Sequence, residues 1–399
     1  MKYLLSAILA SSIAFGANAD DKVVNPDSTG FKFTDVKTVK TTPVRDQNSS
    51  GTCWCFSTNS FLEEDMIKRG SKPVDLSEMF VVRYCYLDKA RKYIRMDGKI
   101  NFAQGGAAHD VPYVIETYGI VPEEVYQGLN YGEEKHVHGE LSAVLKAYLD
   151  AVLKAQGNKR LSTAWEAGFN GILDAYFGPL PETFTYEGKS YTPKSFAESL
   201  DLNPSDYISF TSYTHHPFYK AFPLEVADNW LWGYMHNVPM EEMKAVVDNA
   251  LDNGYPVAWG ADVSEGGFKW RKGYAVIPVE KGEKDLTGTE LSRWVKLSDQ
   301  DRADKRYDIN GPVEEITVTQ EMRQDMFDRK ETTDDHGMVI VGKAVDQKGN
   351  KYYKVQNSWD TNQVYDGYIY VSEPYFLAKT LDIMVNKAAV PAEISKKLK

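Results

Sequence analysis

Residues 43–57 read PVRDQNSSGTCWCFS and place Cys53 near the start of a helix that the following residues predict over 49–70. The dipole and the free N–H groups at the start of a helix favour thiolate over thiol. A thiolate is the nucleophile that acyl transfer requires, and Gln47 could donate a hydrogen bond to the developing oxyanion. This stretch therefore predicts a nucleophilic cysteine. The alternative is that Cys53 is a small buried hydrophobe, the usual fate of a free cysteine.

Two later strings supply the groups that such a cysteine needs. Residues 334–342 read DDHGMVIVG, and residues 354–359 read KVQNSW. His336 could act as the base or ion-pair partner of the thiol, and Asn357 could accept a hydrogen bond from the other ring nitrogen. Trp359 could shield that hydrogen bond from water. A histidine or an asparagine is ordinary at such a position by itself, but the order Cys, His, Asn predicts a catalytic site.

Hydrophobic periodicity and turn residues predict the secondary structure. Helices are predicted over residues 49–70, 77–94, 110–118, 140–156, 162–176 and 240–252. Strands are predicted over residues 255–260, 338–345, 351–357, 367–372 and 381–386, the second and third forming a hairpin. Residues 280–332 are charged and are predicted to be an irregular surface excursion. Because the helices precede most of the strands, the chain is predicted to have an α+β architecture.

Four strings of this sequence resemble the papain family of cysteine peptidases, and the bleomycin hydrolase and aminopeptidase C branch most closely. They are QNSSGTCW at 47–54, GG at 105–106 followed by YGIVP at 118–122, NGYPVAWGADV at 253–263, and 336–359 with GYI at 367–369. The resemblance implies a papain-like two-lobed fold, with a helical lobe and a β-barrel-like lobe. Residues 20–399 would form the peptidase domain, with a helical insertion at about 132–235 that accounts for the long gap between cysteine and histidine.

The resemblance also implies roles for particular residues. Cys53 would be the nucleophile, His336 the acid and base, Asn357 the group that orients the imidazole, and Gln47 the oxyanion donor. Gly105 and Gly106 match the strip that holds the substrate backbone in extended form, where a Cβ would block close approach.

Two further residues, Asp335 and Trp359, are predicted to contact the substrate. Asp334 and Asp335 could attract a free amine or a basic side chain, although two aspartates at this place are as often a solvated turn.

Composition and charge limit the remaining possibilities. The chain has 399 residues, of which 57 are acidic and 46 basic, for a net charge of −11, and 13% are aromatic. This composition predicts a globular protein, and the acidic balance argues against nucleic acid as a partner. Residues 1–19 have the layout of a secretory signal peptide ending in Ala-Asn-Ala. We therefore expect an exported, periplasmic or extracellular protein that starts at Asp20 and has no stable membrane insertion.

No metal or cofactor is predicted. His136-Val137-His138 and His215-His216 lack a nearby cysteine or a helical partner four residues away, so they are interpreted as surface histidines. The pairing of Cys55 with Cys85 is left open, and so is the assembly of identical subunits.

The sequence thus predicts an exported cysteine peptidase that acts on peptides. Endopeptidase or oligopeptidase action is preferred, because the C-terminal tail that fills the cleft in this branch is not found before Lys399. A strict aminopeptidase is the alternative, with the arm at 20–41 or a loop of the insertion in place of the tail. A non-catalytic peptide-binding protein is the alternative from another class, but such a protein has no need for all four predicted catalytic residues.

Overall fold

The computed structural model describes residues 23–24, 30–155, 160–280, 292 and 295–398. The predicted signal segment at residues 1–19 lies outside the described residues. Among the described residues, no helix combines the length and the apolar character needed to cross a membrane.

The helices of the described chain match the predicted ones within about four residues at each end, and several more are present. They are α1 Cys53–Lys68, α2 Glu78–Arg95, α3 Asp110–Tyr118, α4 Gly139–Lys154, α5 Ala164–Phe177, α6 Pro193–Ser199, α7 Met240–Asp252, α8 Asp299–Arg306, α9 Gln320–Asp328, α10 Glu373–Lys379 and α11 Ala392–Ser395.

The strands include all those predicted and a further set earlier in the chain. They are β1 Val23–Val24, β2 Phe33–Thr38, β3 Phe184–Tyr186, β4 Lys189–Tyr191, β5 Tyr207–Thr211, β6 Ala221–Pro223, β7 Tyr234–Asn237, β8 Val257–Ala261, β9 Phe268–Lys269, β10 Tyr274–Ala275, β11 His336–Val345, β12 Lys351–Gln356, β13 Tyr368–Ser372 and β14 Thr380–Asn386.

Apart from the small hairpin β3–β4, the strands belong to one mixed sheet. Its order is β6-β7-β5-β14-β8-β11-β12-β13-β10-β9, with β2 bonded to the second half of β11 and β1 bonded to β2. This order is an open path, so the predicted barrel-like lobe is an open sheet, not a closed barrel, in the part of the chain described. Strand β11 is central, because His336–Ile340 pair with β8 while Val339–Val345 pair with β12.

Helix α1 connects the sheet to the helical side of the molecule. Every residue from Trp54 to Met66 is buried, because α1 lies between β11 and β8 on one side and α2 and α3 on the other. Local signals set the neighbouring helices: the Ser77 hydroxyl accepts the N–H of Phe80 and caps α2. Gly119 ends α3 with φ at 91°, and a Cβ there would lie 2.3 Å from the backbone of Pro193. Because α1 is packed between the sheet and helices α2 and α3, its first residues are held against the sheet.

Two regions, residues 280–332 and residues 132–235, have a secondary structure that differs from the predicted one. The described part of residues 280–332 holds helices α8 and α9, so its prediction as irregular was wrong. Helix α9 is anchored by the fully buried Arg323, whose Nε donates to the carbonyl of Ser212 at 2.8 Å and whose Nη1 donates to that of Leu377 at 2.8 Å. A hydropathy pattern cannot signal this anchor, because its partners are distant backbone carbonyls.

The range predicted as a helical insertion, at about 132–235, is helical only in its first part. It holds α4, α5, the small hairpin β3–β4 and α6, and then β5 and β6, while β7 begins near its end. Strand β5 pairs with β14 and β7 pairs with β5, so the last part of this range extends the main sheet. The boundaries of the insertion stay a prediction.

Candidate active site

The pairing of β11 with β12 brings His336 and Asn357 together. His336 is the first residue of β11, and Asn357 directly follows β12. The imidazole Nε2 and the Oδ1 of Asn357 are 2.6 Å apart, and both side chains are buried. The same Oδ1 accepts the backbone N–H of Ser358 at 2.7 Å, which fixes the carboxamide. Since Nε2 is engaged, Nδ1 is the ring nitrogen left for another group.

Trp359 covers this hydrogen bond. Its ring centroid lies 4.3 Å from that of His336, with 31° between the planes. Trp270 packs edge-on against Trp359 at 5.5 Å. The two indoles reduce the access of water to the pair, and this strengthens a hydrogen bond between polar groups.

Gln47 is held beside Asn357 by the backbone and by its own side chain. Its N–H donates to the carbonyl of Ser358 at 2.9 Å, and its Oε1 accepts the Ser358 hydroxyl at 2.7 Å. Its Nε2 donates one hydrogen to the carbonyl of Ser50 at 2.6 Å. An amide nitrogen carries two hydrogens, so one is still available for a ligand.

Cys53 is the first residue of α1 and is half-buried. The backbone N–H groups of Gly337 and Trp54 act on its sulfur to lower the pKa of the thiol. A Cβ on Gly337 would lie 2.8 Å from the Ser57 hydroxyl and 3.1 Å from the Trp54 Cα. The absence of a side chain at residue 337 therefore allows β11, which carries His336, to lie directly against the start of α1.

The electrostatics of the site differ from the expectation of a ready thiolate. Removal of water from around the sulfur, with a further contribution from the charges of Asp334 and Asp228, raises the pKa of Cys53 to about 11. Burial lowers the pKa of His336 to about 4, although its bond to Asn357 opposes this. Either group ionised by itself is thus disfavoured. A proton passed from thiol to imidazole leaves the net charge of the pocket unchanged and gives each ion a partner.

Gly105 and Gly106 line the same cleft as Cys53 and His336. A Cβ on Gly106 would lie 2.7 Å from Oδ2 of Asp110, and one on Gly105 would lie 1.8 Å from Oδ2 of Asp228. From behind, the buried Lys89 donates to the carbonyls of Ala103 and Gly105. The strip is therefore held by its own carbonyls and has no room for side chains.

The cleft encloses about 540 Å³ of empty space, its open mouth included. Besides the groups predicted from the sequence, its walls carry Val226, Asp228 and Met235 from the loop β6–β7 and from β7, together with Asp382 of β14. The loop β6–β7 therefore forms part of the cleft wall at the Gly105–Gly106 strip.

Of the two further residues predicted to contact the substrate, Asp335 lines the cleft and Trp359 does not. Asp335 lines the cleft, but its Oδ2 accepts the N–H groups of Val263 at 3.2 Å and Ser264 at 3.1 Å, so this carboxylate supports a turn. Trp359 lies over the imidazole and is not among the residues that line the cleft. Sequence reasoning missed Asp228 and Asp382, since only the fold brings them to the cleft.

The histidines outside the site are of two kinds. His136 and His138 are buried, so their interpretation as surface residues was wrong, and burial lowers their pKa values to about 4 and 3. His215 and His216 both reach Glu225, at 3.0 and 2.8 Å, and these three residues form the one group of possible metal-ligand atoms found within the described ranges.

Cys55 and Cys85 are free and buried. The Sγ of Cys55 donates to the carbonyl of Glu78. Both thiols therefore sit in the helical core, behind the first residue of α1.

Comparison with known proteins agrees with this architecture. The structure of PepW from Lactobacillus rhamnosis HN001 superposes with a TM-score of 0.68 at 19% identity, over 92% of this chain and 84% of that one. The aminopeptidase C of Lactobacillus delbrueckii subsp. lactis is 26% identical, over 90% of this chain and 82% of its own length. The mitochondrial cysteine proteinase 1 of Saccharomyces cerevisiae is 24% identical, over 98% and 84%.

Fold and relatives together define a papain-like cysteine-type peptidase of the bleomycin hydrolase and aminopeptidase C kind. The Peptidase C1-like family model matches residues 5–399, and the chain belongs to that family.

Proposed function

We propose that this chain is an exported cysteine aminopeptidase in which Cys53, His336, Asn357 and Gln47 carry out the chemistry. The observation that supports this best is the 2.6 Å hydrogen bond between His336 Nε2 and Asn357 Oδ1, next to the start of α1. That bond leaves Nδ1 for the thiol of Cys53. The relatives named aminopeptidase C support the exopeptidase mode.

The four residues divide the reaction between them. The sulfur of Cys53 attacks the peptide carbonyl while its proton passes to His336 Nδ1. The free hydrogen of Gln47 Nε2 and the Cys53 N–H, unpaired in the first turn of a helix, then stabilise the oxyanion. His336 returns the proton to the leaving amine as the C–N bond breaks. Water, deprotonated by His336, then hydrolyses the thioester and restores the thiol.

The cleft supports exopeptidase action over the endopeptidase action preferred from the sequence. The Oδ2 of Asp228 lies over Gly105, 1.8 Å from the position that a Cβ there would take, so the loop β6–β7 narrows the cleft at the strip. This narrowing favours a peptide that ends at the strip over one that continues past it.

The decisive test compares the wild-type protein with Cys53→Ala and Cys85→Ala on aminoacyl-coumarin substrates. We expect Cys53→Ala to lose hydrolysis and Cys85→Ala, which alters a buried free thiol away from the cleft, to keep it. Iodoacetamide should label Cys53 in the wild-type protein and inactivate it. Peptide binding without hydrolysis in the wild-type protein would instead indicate a non-catalytic peptide-binding protein.

Export is the second part of the proposal and is supported by the sequence layout of residues 1–19. Mass spectrometry of the protein recovered from its natural host should find Asp20 as the first residue. Recovery with Met1 retained would contradict export through a cleaved signal.

A further inference from the structure

Three carboxylates from separate parts of the chain line the cleft on the side of the Gly105–Gly106 strip. Asp228 lies in the loop between β6 and β7, Asp334 lies two residues before His336, and Asp382 lies in β14. Asp228 and Asp334 are close enough to the sulfur of Cys53 to raise the pKa of its thiol. None of the three has a part in the proposed chemistry.

Asp382 is a buried carboxylate without a partner. Its side chain is 8% exposed, and within the described ranges it makes no hydrogen bond and no ion pair. Its Oδ1 lies over β8, where a Cβ on Gly260 would approach it to 2.4 Å. His109 is the nearby group that opposes the effect of burial on its pKa. A buried acid that is left unpaired costs free energy, so its place in a cleft wall indicates that a partner arrives with the ligand.

Asp228 presents one oxygen to the protein and one to the cleft. Its Oδ1 accepts a hydrogen from Asn101 Nδ2 at 2.9 Å. Its Oδ2 lies over Gly105 and has no hydrogen-bond partner in the described part of the chain. Lys89 is the nearest cation, but its ammonium is engaged with the carbonyls of Ala103 and Gly105 beneath the strip.

Asp334 completes the group. Solvent reaches its side chain, which makes no hydrogen bond within the described residues. The cleft walls remove part of the water around its carboxyl group, and this desolvation, followed by the charges of Asp228, Asp382 and Asp335, raises its pKa to about 8. The neighbouring Asp335 is already occupied by two backbone N–H groups. Asp334 is therefore a carboxyl group with acceptor oxygens that no described residue uses, and it lines the same cleft as the strip and His336.

We infer that Asp228, Asp334 and Asp382 form a cation pocket that binds a positively charged group of the substrate. This inference rests on the proposed function and names the chemistry that the site selects. The ligand is an ammonium or guanidinium group, which can come from the free N-terminus of the peptide or from a basic side chain next to the scissile residue. In the part of the chain that is described, none of the three acids forms an ion pair, and all three line the same cleft as the Gly105–Gly106 strip.

The test compares pairs of substrates in which one member carries a positive charge and the other does not. Alanyl-coumarin and acetyl-alanyl-coumarin report on the amine, while acetyl-Arg-Ala-coumarin and acetyl-norleucyl-Ala-coumarin report on a basic side chain. The proteins are wild type, Asp228→Asn, Asp334→Asn and Asp382→Asn, with Asp97→Asn as the control. Asp97 is an exposed acid in a turn after α2, and Asn tolerates its backbone conformation with φ at 52°.

In the wild type we expect the charged member of at least one pair to be hydrolysed faster. Each variant of the pocket should lower the ratio of kcat/KM between the charged and the neutral member by about 10- to 100-fold, the loss typical of a hydrogen bond to a charged group. Any change in the reactivity of Cys53 affects both members alike and cancels in this ratio. The pair that responds identifies the source of the cation. Asp97→Asn should match the wild type.

Equal effects of the pocket variants on charged and neutral substrates would overturn the inference. A wild-type circular dichroism spectrum, together with labelling of Cys53 by iodoacetamide, shows that a variant is folded. The labelling rate itself should rise in Asp228→Asn and Asp334→Asn, because both carboxylates raise the pKa of the thiol. Asp228→Asn is the variant least expected to disturb folding. Asparagine keeps the oxygen that accepts the hydrogen bond from Asn101, and residue 228 lies in a loop. If the proposed peptidase function itself were wrong, the wild-type protein would hydrolyse none of the four substrates, and this result is distinct from equal effects on charged and neutral substrates.

Discussion

Adding one methyl group to the substrate strip, in Gly106→Ala, tests the site without touching a reacting group. The new Cβ would lie 2.7 Å from Oδ2 of Asp110 and 2.8 Å from the ring of Trp54. Asp110 cannot yield easily, because its Oδ2 accepts the Trp230 indole N–H at 2.6 Å and the Ala107 N–H at 3.1 Å. The strip itself must therefore move.

The size of the effect follows from that movement. Forcing an extra methyl into a packed site costs about 1–3 kcal/mol. A displacement of reacting groups by about 1 Å can cost about 100-fold in rate. We expect kcat/KM of Gly106→Ala to fall by about 100-fold and its melting temperature to fall by a few degrees, while iodoacetamide still labels Cys53.

Steady-state kinetics and calorimetry measure both quantities, and Gly171→Ala is the matched control. Gly171 lies within α5, and a Cβ there would meet nothing within 4 Å. Alanine should stabilise that helix by about 0.5–1 kcal/mol and leave activity unchanged. A Gly106→Ala protein with the kcat/KM and melting temperature of the wild type would refute the assignment of this strip as a tightly packed substrate surface.

Three other predictions concern the groups around the thiol. Gln47→Ala should lower kcat by about 100- to 1,000-fold with little change in KM, and Ser358→Ala, which only frees the orientation of that amide, should cost less. Asn357→Ala should lower kcat/KM by about 10- to 100-fold, the loss of one charge-assisted hydrogen bond; wild-type kinetics in either protein would contradict its role. Because the pKa of Asp334 is raised to about 8 and that of Asp382 to about 6, both acids are neutral at low pH. The preference for free over acetylated N-termini should thus grow as pH rises from about 5 to 7, before the α-amine of the substrate loses its own charge at about pH 8, and a pH profile that stays flat would contradict it.

Local patterns were enough to predict much of the site. Gln47 and Cys53 lie within one short stretch at the start of a helix, and His336 and Asn357 lie on neighbouring strands of one hairpin. Contacts between residues close in the chain determine these placements, so hydrophobic periodicity and turn residues are enough to predict them. The hydrogen bond between His336 and Asn357 is a direct result of that hairpin.

Other features depend on packing that no local pattern carries. Strands β5, β6 and β7 have three to five residues each, too few for a clear period, and they are fixed by pairing with β14 and with one another. The helix start favoured a thiolate at Cys53, but crowding and two carboxylates from elsewhere in the chain raise the pKa of that thiol. His138 is buried because other elements, including Phe177 of α5, pack against its ring.

Asp228 lies in a loop at the outer edge of the sheet, so the binding of the peptide end and the hydrolysis of the peptide bond depend on different elements of the fold. Selection can act on each of them separately. His336 begins a strand that is bonded on both sides, whereas residues 224–233 join the edge strand β6 to β7. Loops of this kind accept substitutions and changes of length far more readily than central strands do. Descendants of this chain could therefore exchange the loop and accept different peptide ends while the hydrolytic machinery stays intact, and a protein engineer could graft new loops at the same place.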